Sequence, residues 1–268
     1  VRTYFQNITL IEYMPGTDQV LSVISVTPGG EASVDFENNT DFSVRTGNVG
    51  LTVKAPLVFA GYGFTDEKNG YDDYKKLDVN GKVVVILSGF PGYRDENSAA
   101  YKKFRPEGRM AQYAIERDKT ARAEKLGASG IILVRPGTDP LREWAEDPQT
   151  LEKASLNGAE TPARAASARM ALPEDTLSGN IPVFTVTSRV VQRIMAGTGI
   201  DFSAFEKQAA EKMLPSSALL IGKSVEFKTS VSSRIVNVRN VLGYIEGENK
   251  NEVIVVGAHY DHMGKNNG

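Results

Sequence analysis

The sequence has 268 residues, 41% of them hydrophobic and 24% charged, which is typical of a globular protein with enough apolar surface for a sizeable core. The formal net charge is −2, and no stripe of Lys and Arg is present, so nucleic-acid binding by bulk charge is disfavoured. The absence of cysteine excludes thiolate zinc sites, disulfides and cysteine nucleophiles, and no apolar run approaches the ~20 residues of a membrane-spanning helix.

The first sixty residues are predicted to be mostly β-strands. Residues 19–26 and 32–36 flank a Pro-Gly-Gly turn, which is typical of a β-hairpin. Residues 51–60 are also rich in strand formers, and Pro56 predicts an edge strand or a bulge because proline cannot donate a ladder hydrogen bond. The Gly-x-Gly at 61–63 is interpreted as a tight turn, since no helix follows it to bind a phosphate.

A strand–helix–strand unit is predicted next. Residues 83–87 and 130–134 are continuous apolar runs, which indicate strands buried on both faces of a sheet. Residues 118–126 predict a short helix between them, with Asp118 as its N-cap and Gly127 ending it. The order is that of a βαβ unit with a long insertion before its helix.

The second half of the chain begins with a polar segment. Residues 148–180 are rich in Ala, Ser and Thr and predict a long surface loop, expected to be mobile. A helix with one apolar face is predicted from Ser188. Residues 201–213 predict another helix, in which Ser203 and Glu206 have the spacing of a capping box.

The last fifty residues again have the pattern of strands. Residues 224–231 alternate between apolar and polar, residues 234–245 are strand-like, and residues 253–258 form an apolar run that ends at His259. This change of pattern predicts a domain boundary near residues 214–222.

The residue types of a reactive site occur together only near the end of the chain. Both histidines, His259 and His262, lie in the last ten residues, and Asp261 lies between them. In extended backbone His259 and Asp261 point to the same side, and a carboxylate beside an imidazole orients it as a metal ligand. For an isolated His-x-Asp pattern, however, a solvated polar turn after a core strand is the more common interpretation.

A longer comparison favours the metal site. Residues 240–247 (Asn-Val-Leu-Gly-Tyr-Ile-Glu-Gly) and 253–262 (Val-Ile-Val-Val-Gly-Ala-His-Tyr-Asp-His) closely resemble the opening of the co-catalytic di-zinc aminopeptidases. That family includes secreted bacterial leucine aminopeptidases and glutamate carboxypeptidase relatives.

The upstream region resembles the protease-associated (PA) domain that is inserted in many members of this family. The resemblance is carried by residues 58–63, 73–84, 125–132 and 181–183. It implies a mixed, strand-rich α/β fold: a PA-type β-rich domain with short helices, followed by the first strands of an α/β zinc-peptidase domain. The implied division is N-terminal strands in 1–44, a PA-like domain in 45–213, and an incomplete peptidase domain in 214–268.

The resemblance also implies a function. His259 would be a zinc ligand, Asp261 the carboxylate that orients it, and His262 a neighbour of the site whose role stays open. Two zinc ions, a bridging Asp, a Glu general base and further ligands belong to the complete family site, and those residues would follow His262. The carboxylates Asp72, Asp73 and Asp118 are expected to have only solvent-facing or capping roles.

Further expectations concern the chain as a whole. We expect a fragment of a secreted, periplasmic or cell-surface aminopeptidase that acts on peptides, with no nucleic-acid partner and no membrane insertion. The 268 residues alone are expected to be inactive and to bind zinc poorly. Residues 253–256 are expected to expose apolar surface, through which the chain would self-associate or aggregate.

Two alternatives stay open at this point. One is a non-catalytic binding or receptor-like protein on the same scaffold with a degenerate zinc site. The other is a serine protease with a PA insert, which no nucleophile motif supports.

Overall fold

A computed structural model describes residues 4–93, 95–107, 109–134, 169–174, 181–249 and 251–258. Its strands are β1 (Phe5–Pro15), β2 (Val20–Thr27), β3 (Gly30–Phe36), β4 (Phe42–Arg45), β5 (Thr52–Phe59), β6 (Thr65–Asp66), β7 (Tyr71–Asp72), β8 (Val83–Leu87), β9 (Gly130–Val134), β10 (Arg169–Ala171), β11 (Val183–Val186), β12 (Ala218–Lys228) and β13 (Val231–Val241). Its helices are α1 (Ala99–Phe104), α2 (Arg109–Lys125), α3 (Ser188–Met195) and α4 (Phe202–Lys212), and Glu67–Asn69 form a 3-10 turn. The mixed, strand-rich α/β class with short helices is confirmed.

An eight-stranded sheet with the order β3-β2-β12-β5-β8-β9-β11-β4 organises the fold. Strands β5, β8, β9 and β11 are parallel to one another, whereas the remaining pairs are antiparallel. The predicted β2–β3 hairpin and the predicted βαβ unit, formed by β8, α2 and β9, are both present. The sheet includes strands on both sides of the boundaries expected near residues 45 and 213, and those boundaries stay a prediction.

Hydrophobic side chains cover both faces of this sheet. Alternation along β8 sends Val83, Val85 and Leu87 to the face packed by α3 and α4. Val84 and Ile86 point to the opposite face, which is packed by α2. Every residue of β8 and β9 is buried, as their apolar runs predicted. Each fully buried aliphatic side chain contributes about 1.5–3 kcal/mol, so the centre of the sheet dominates the stability of the fold.

Pro56 lies inside the sheet and not at its edge. Strand β5 has β12 on one side and β8 on the other, so the expectation of an edge strand was wrong. The alternative of a bulge was right, because the β5–β12 register shifts between Leu219 and Ser224, and Ser224 is the partner of Pro56. Pairing with β8 begins only at Leu57, so the missing proline N–H falls where the ladder is already interrupted.

One predicted helix start and one predicted helix cap were wrong. Helix α2 begins at Arg109, so Asp118 lies in the middle of the helix and caps nothing. Residues upstream of Asp118 are also good helix formers, so the helix extends beyond the start that Asp118 suggested. In α4 the N-cap is Asp201, whose carboxylate accepts a hydrogen bond from the Ala204 N–H at 3.1 Å, so the Ser203 capping box was misplaced.

The helix ends follow the sequence more closely. Gly127 ends α2 with a left-handed φ of +85°, and the Ala128 N–H bonds to the Ala123 carbonyl. The apolar face predicted for α3 is buried, and Gly197, with a φ of +77°, follows that helix. Among the described residues no helix is long and apolar enough to cross a membrane.

A second, three-stranded sheet has the order β10-β1-β13. Strands β1 and β13 pair antiparallel along their whole lengths, from Phe5↔Val241 to Pro15↔Val231. Strand β10 belongs to the segment 148–180 that was predicted to be a loop, so that prediction was wrong at residues 169–171. Apart from 169–174, the segment lies outside the described residues.

Residues 253–258 do not form the strand that their apolar run predicted. No described segment lies beside them to accept ladder hydrogen bonds, and a strand without a neighbour leaves its backbone groups unpaired. The side chains of residues 253–256 are 76–92% exposed. The expected exposure of apolar surface is therefore confirmed, whereas self-association stays a prediction.

Candidate functional site

The four parallel strands end at a common edge of the large sheet, where α/β folds commonly place their functional groups. Two of the turns at this edge are hydrogen-bonded to each other. One is residues 60–64 after β5, in which Gly61 and Gly63 have φ of +53° and +63°. The other begins at the last residue of β8 and spans residues 87–89, and the Leu87 N–H donates a hydrogen bond to the Gly61 carbonyl of the first turn at 2.8 Å. Buried charged side chains hold both turns.

Asp73 fastens the turn after β5. Its side chain is completely buried, and one carboxylate oxygen accepts the backbone N–H groups of Tyr62 and Phe64, each at 3.1 Å. The other oxygen accepts the Tyr71 hydroxyl at 2.9 Å. A Cβ added to Gly61 would lie 3.0 Å from this same oxygen and 2.8 Å from the Phe205 ring. The tight turn is thus built around the Asp73 carboxyl group.

Lys119 and Glu116 of α2 fasten the turn after β8. The buried Lys119 ammonium donates to the carbonyls of Leu87 and Gly89, at 2.7 and 3.0 Å, and to Glu116 at 3.3 Å. The same Glu116 oxygen accepts the Ser88 hydroxyl and the Gly89 N–H. Helix α2 therefore holds the end of β8 through hydrogen bonds to a buried charge, which are stronger than neutral ones.

These side chains form a polar cluster, which we define as Tyr71, Asp73, Glu116 and Lys119. Burial shifts the pKa values of Tyr71, Asp73 and Lys119. Burial raises the pKa of Asp73 to about 7, although hydrogen bonds from Phe64, Tyr71 and Tyr62 and the charge of Lys119 all act to lower it. Burial likewise raises the pKa of Tyr71 and lowers that of Lys119, which the nearby Glu116 opposes. The cluster can hold a proton near neutral pH, but Asp73 is closed to solvent and therefore to substrate.

The expectation that Asp73 faces solvent was wrong. Asp72 is half-buried, accepts the Tyr74 N–H at 2.9 Å and lies 3.7 Å from Arg122, while Asp118 is exposed on α2. Sequence reasoning also missed Lys119 as a buried residue. A signal was present, because Lys119 lies one helical turn from both the partly buried Ile115 and the buried Ala123.

A small cleft lies beside the polar cluster, lined by Gly63, Phe64, Thr65, Lys119 and Arg122 among others. Its volume is about 180 Å³, below the ~300–1,000 Å³ usual for ligand pockets. We therefore interpret the cluster as a positioning device for the two turns and assign no ligand to this cleft.

The residues predicted to carry the chemistry, His259, Asp261 and His262, lie outside the described residues. Within the described ranges, no three metal-ligating side chains come together to hold a metal ion. The zinc ligands therefore rest on the sequence alone.

Comparison with known families identifies the region that holds the polar cluster. A family model described as the PA domain matches residues 53–194, more than half of the chain. The chain belongs to the PA domain family. The matched residues run from β5 to α3 and include all four parallel strands, so Asp73 and Lys119 are internal features of the PA domain.

Comparison of whole proteins adds little to this assignment. None of the curated proteins compared matches the sequence. Two solved structures similar to the chain are those of BSAP, a zinc aminopeptidase from Bacillus subtilis, one of them at medium resolution. They are 15% and 14% identical to it, cover 85% of it in each case, and have TM-scores of 0.30 and 0.28. The chain spans 35–36% of the length of BSAP, and such low TM-scores do not establish a shared activity.

Proposed function

We propose that this chain is part of a zinc-dependent aminopeptidase, a hydrolase that removes N-terminal residues from peptides with a metal-activated water. One observation supports this proposal above the others. The PA domain match is followed, within the same chain, by residues 240–262, whose sequence resembles the opening of the di-zinc aminopeptidases. A PA domain alone would be compatible with several proteins, whereas the His259-Tyr260-Asp261 sequence points to a metal ligand and its orienting carboxylate.

The proposal gives each residue of this sequence a distinct task. His259 would be a ligand of one of two zinc ions, and Asp261 would accept the imidazole N–H of His259 and so fix its tautomer. His262 would be a neighbour of the site without an assigned role. Bound zinc would supply a Lewis acid that lowers the pKa of the attacking water. The polar cluster of the PA domain would contribute no reacting group, since the charges of Asp73 and Lys119 are buried and hydrogen-bonded to the backbone.

Two further features belong to the proposal. The protein would act outside the cytoplasm, as do the secreted members of the aminopeptidase family that residues 240–262 resemble. The exposed apolar segment 253–256 would be covered in solution by protein surface, and self-association would cover it when the 268-residue chain is isolated.

The test is hydrolysis of a panel of aminoacyl-p-nitroanilides by the full-length protein that contains this sequence. Chelation should abolish hydrolysis and added Zn²⁺ should restore it. His259→Ala should remove activity, because a catalytic zinc needs its three protein ligands. Asp261→Asn should lower kcat/KM about 10–100-fold, the usual effect of losing an orienting carboxylate. The matched control is Asp118→Asn, an exposed carboxylate on α2 that should leave kcat/KM unchanged.

Two results would overturn the proposal. The folded, zinc-loaded protein could show no hydrolysis of any substrate in the panel, which would favour the receptor-like alternative. Alternatively, His259→Ala could retain full activity, which would show that His259 is not a ligand.

A further inference from the structure

A second, larger cleft lies between the turn after β7 and the segment that joins α4 to β12. Its volume is about 530 Å³, within the range of ligand pockets. Its polar lining consists of Lys75, Lys76, Lys82, Asp78, Ser216 and Ser217. Three lysines and one aspartate give this lining an excess of two positive charges, although the whole chain has a net charge of −2.

The single carboxylate of the cleft does not neutralise its outer lysines. Asp78 accepts a hydrogen bond from the Lys82 ammonium at 2.5 Å, and this bond lowers the pKa of Asp78. Lys75 and Lys76 are exposed and form no ion pair with any residue in the described part of the chain. Two adjacent cationic side chains are therefore available to an anionic group that enters the cleft.

Lys76 has a left-handed backbone conformation, which is unfavourable for residues other than glycine. The Leu77 N–H bonds to the Tyr74 carbonyl at 3.0 Å, and Lys76 is the third residue of this turn, with a φ of +71°. Glycine is the usual residue there, because a left-handed conformation strains other side chains. The chain places glycine in two nearby turns with similar φ, at Gly70 and Gly81. Replacing Lys76 by glycine is therefore a change that this backbone conformation tolerates.

The cleft also has an apolar side. Leu219 lines it and is 59% exposed, on the part of β12 where the sheet register shifts. The half-buried Ser216 and Ser217 provide hydroxyl groups close to this surface. A ligand that matched the cleft would combine negative charge with an apolar group, which a simple inorganic anion does not.

We propose that this cleft binds an acidic peptide segment, with carboxylates at Lys75 and Lys76 and an apolar side chain against Leu219. Such a site lies outside the zinc chemistry proposed above and does not depend on it. The cleft would then be a peptide-docking surface that selects negatively charged segments.

Fluorescence anisotropy with the 268-residue chain tests this proposal, with a labelled Leu-Glu-Glu-Leu peptide as the probe. The Lys75→Gln, Lys76→Gln double variant should weaken the Kd about 5–20-fold, because it removes two partly screened ion pairs. Lys102→Gln with Lys103→Gln is the matched control, since these adjacent exposed lysines of α1 lie outside the cleft, and its Kd should change less than about two-fold. Raising the salt concentration from about 50 to 500 mM should also weaken binding.

Lys76→Gly separates binding from folding. Glycine relieves the strain at φ +71°, so the variant should be at least as stable as the wild type, yet it should bind the peptide about 3-fold more weakly. The proposal is overturned if Lys76→Gly and the double glutamine variant bind as the wild type does, or if Leu-Glu-Glu-Leu does not bind. Equal binding of Leu-Gln-Gln-Leu, or of inorganic phosphate, would likewise overturn the assignment to an acidic peptide.

Discussion

Asp73→Asn should stabilise the protein relative to the wild type progressively as the pH rises from about 4 to 7. The pKa of Asp73 is raised to about 7 in the folded protein, whereas an unfolded Asp ionises near 3.9. Because the pKa of Asp73 is higher in the folded state, the contribution of this group to the unfolding free energy of the wild type is fully present below the unfolded-state pKa. That contribution is lost as the pH rises through the folded-state pKa. Asparagine does not ionise, so the variant escapes this loss.

The expected size of the effect is large. Each pH unit between the two pKa values changes the difference in unfolding free energy by about 1.4 kcal/mol, so the total approaches about 4 kcal/mol. The amide preserves most of the hydrogen bonding, because its oxygen can accept the Tyr62 and Phe64 N–H groups and its nitrogen can donate to Tyr71. Urea unfolding of both proteins at pH 5, 6 and 7 measures the difference in unfolding free energy. The contributions of the other titrating groups are the same in both proteins and cancel in this difference. A difference that stayed constant, or fell with pH, would show that the donors around Asp73 outweigh its burial.

Lys119→Met should lower the unfolding free energy by about 3–5 kcal/mol, the usual cost of breaking a buried charged network from one side. Methionine keeps the length of the side chain but removes the donor that serves the carbonyls of Leu87 and Gly89. It also leaves the Glu116 carboxylate facing these turns without its cation. Chemical denaturation at neutral pH measures the loss.

Two variants show whether this cost comes from the network. Lys125→Met, on the exposed last turn of the same helix, should change stability by less than about 0.5 kcal/mol. Glu116→Gln in combination with Lys119→Met should cost less than the sum of the single changes, because it removes the carboxylate left unpaired. A loss of only about 1 kcal/mol for Lys119→Met would mean that Lys119 merely fills space.

Hydrophobic patterns predicted the parts of the fold in which packing and propensity agree. The continuous apolar runs of β8 and β9 can be buried on both faces only in the interior of a sheet. The apolar stripe of α3 lies on one face of the helix, so only that face packs against the sheet. Pro56 shows the limit of this reasoning, since the proline signal gave two alternatives and only the register of β12 decided between them. The run at 253–258 has the same apolar character as β8, yet strand formation depends on a neighbour that its own sequence does not specify.

The functional residues divide in a similar way. His259 and Asp261 could be proposed because residues 240–262 resemble a family of metallopeptidases, whereas the contacts of Asp73 and Lys119 are made by distant turns. Nothing in the residues next to Asp73 predicts that its side chain is buried. The hydrogen-bond donors that offset the cost of burying its carboxyl group lie up to 11 residues away in the sequence. The left-handed φ of Lys76 is equally invisible in the sequence, because lysine is not a residue that predicts it.

Calorimetric titration of Zn²⁺ into the 268-residue chain and its His259→Ala variant tests most directly whether His259 is one ligand of a zinc site. The sequence offers His259 as one ligand and His262 as a neighbour without an assigned role, and it has no cysteine, so fewer than the three protein ligands of a catalytic zinc are expected to converge. The predicted result is weak binding, with a Kd above about 10 μM, that is weakened further by His259→Ala. Sub-micromolar binding that survived His259→Ala would contradict both the ligand and the expected ligand count.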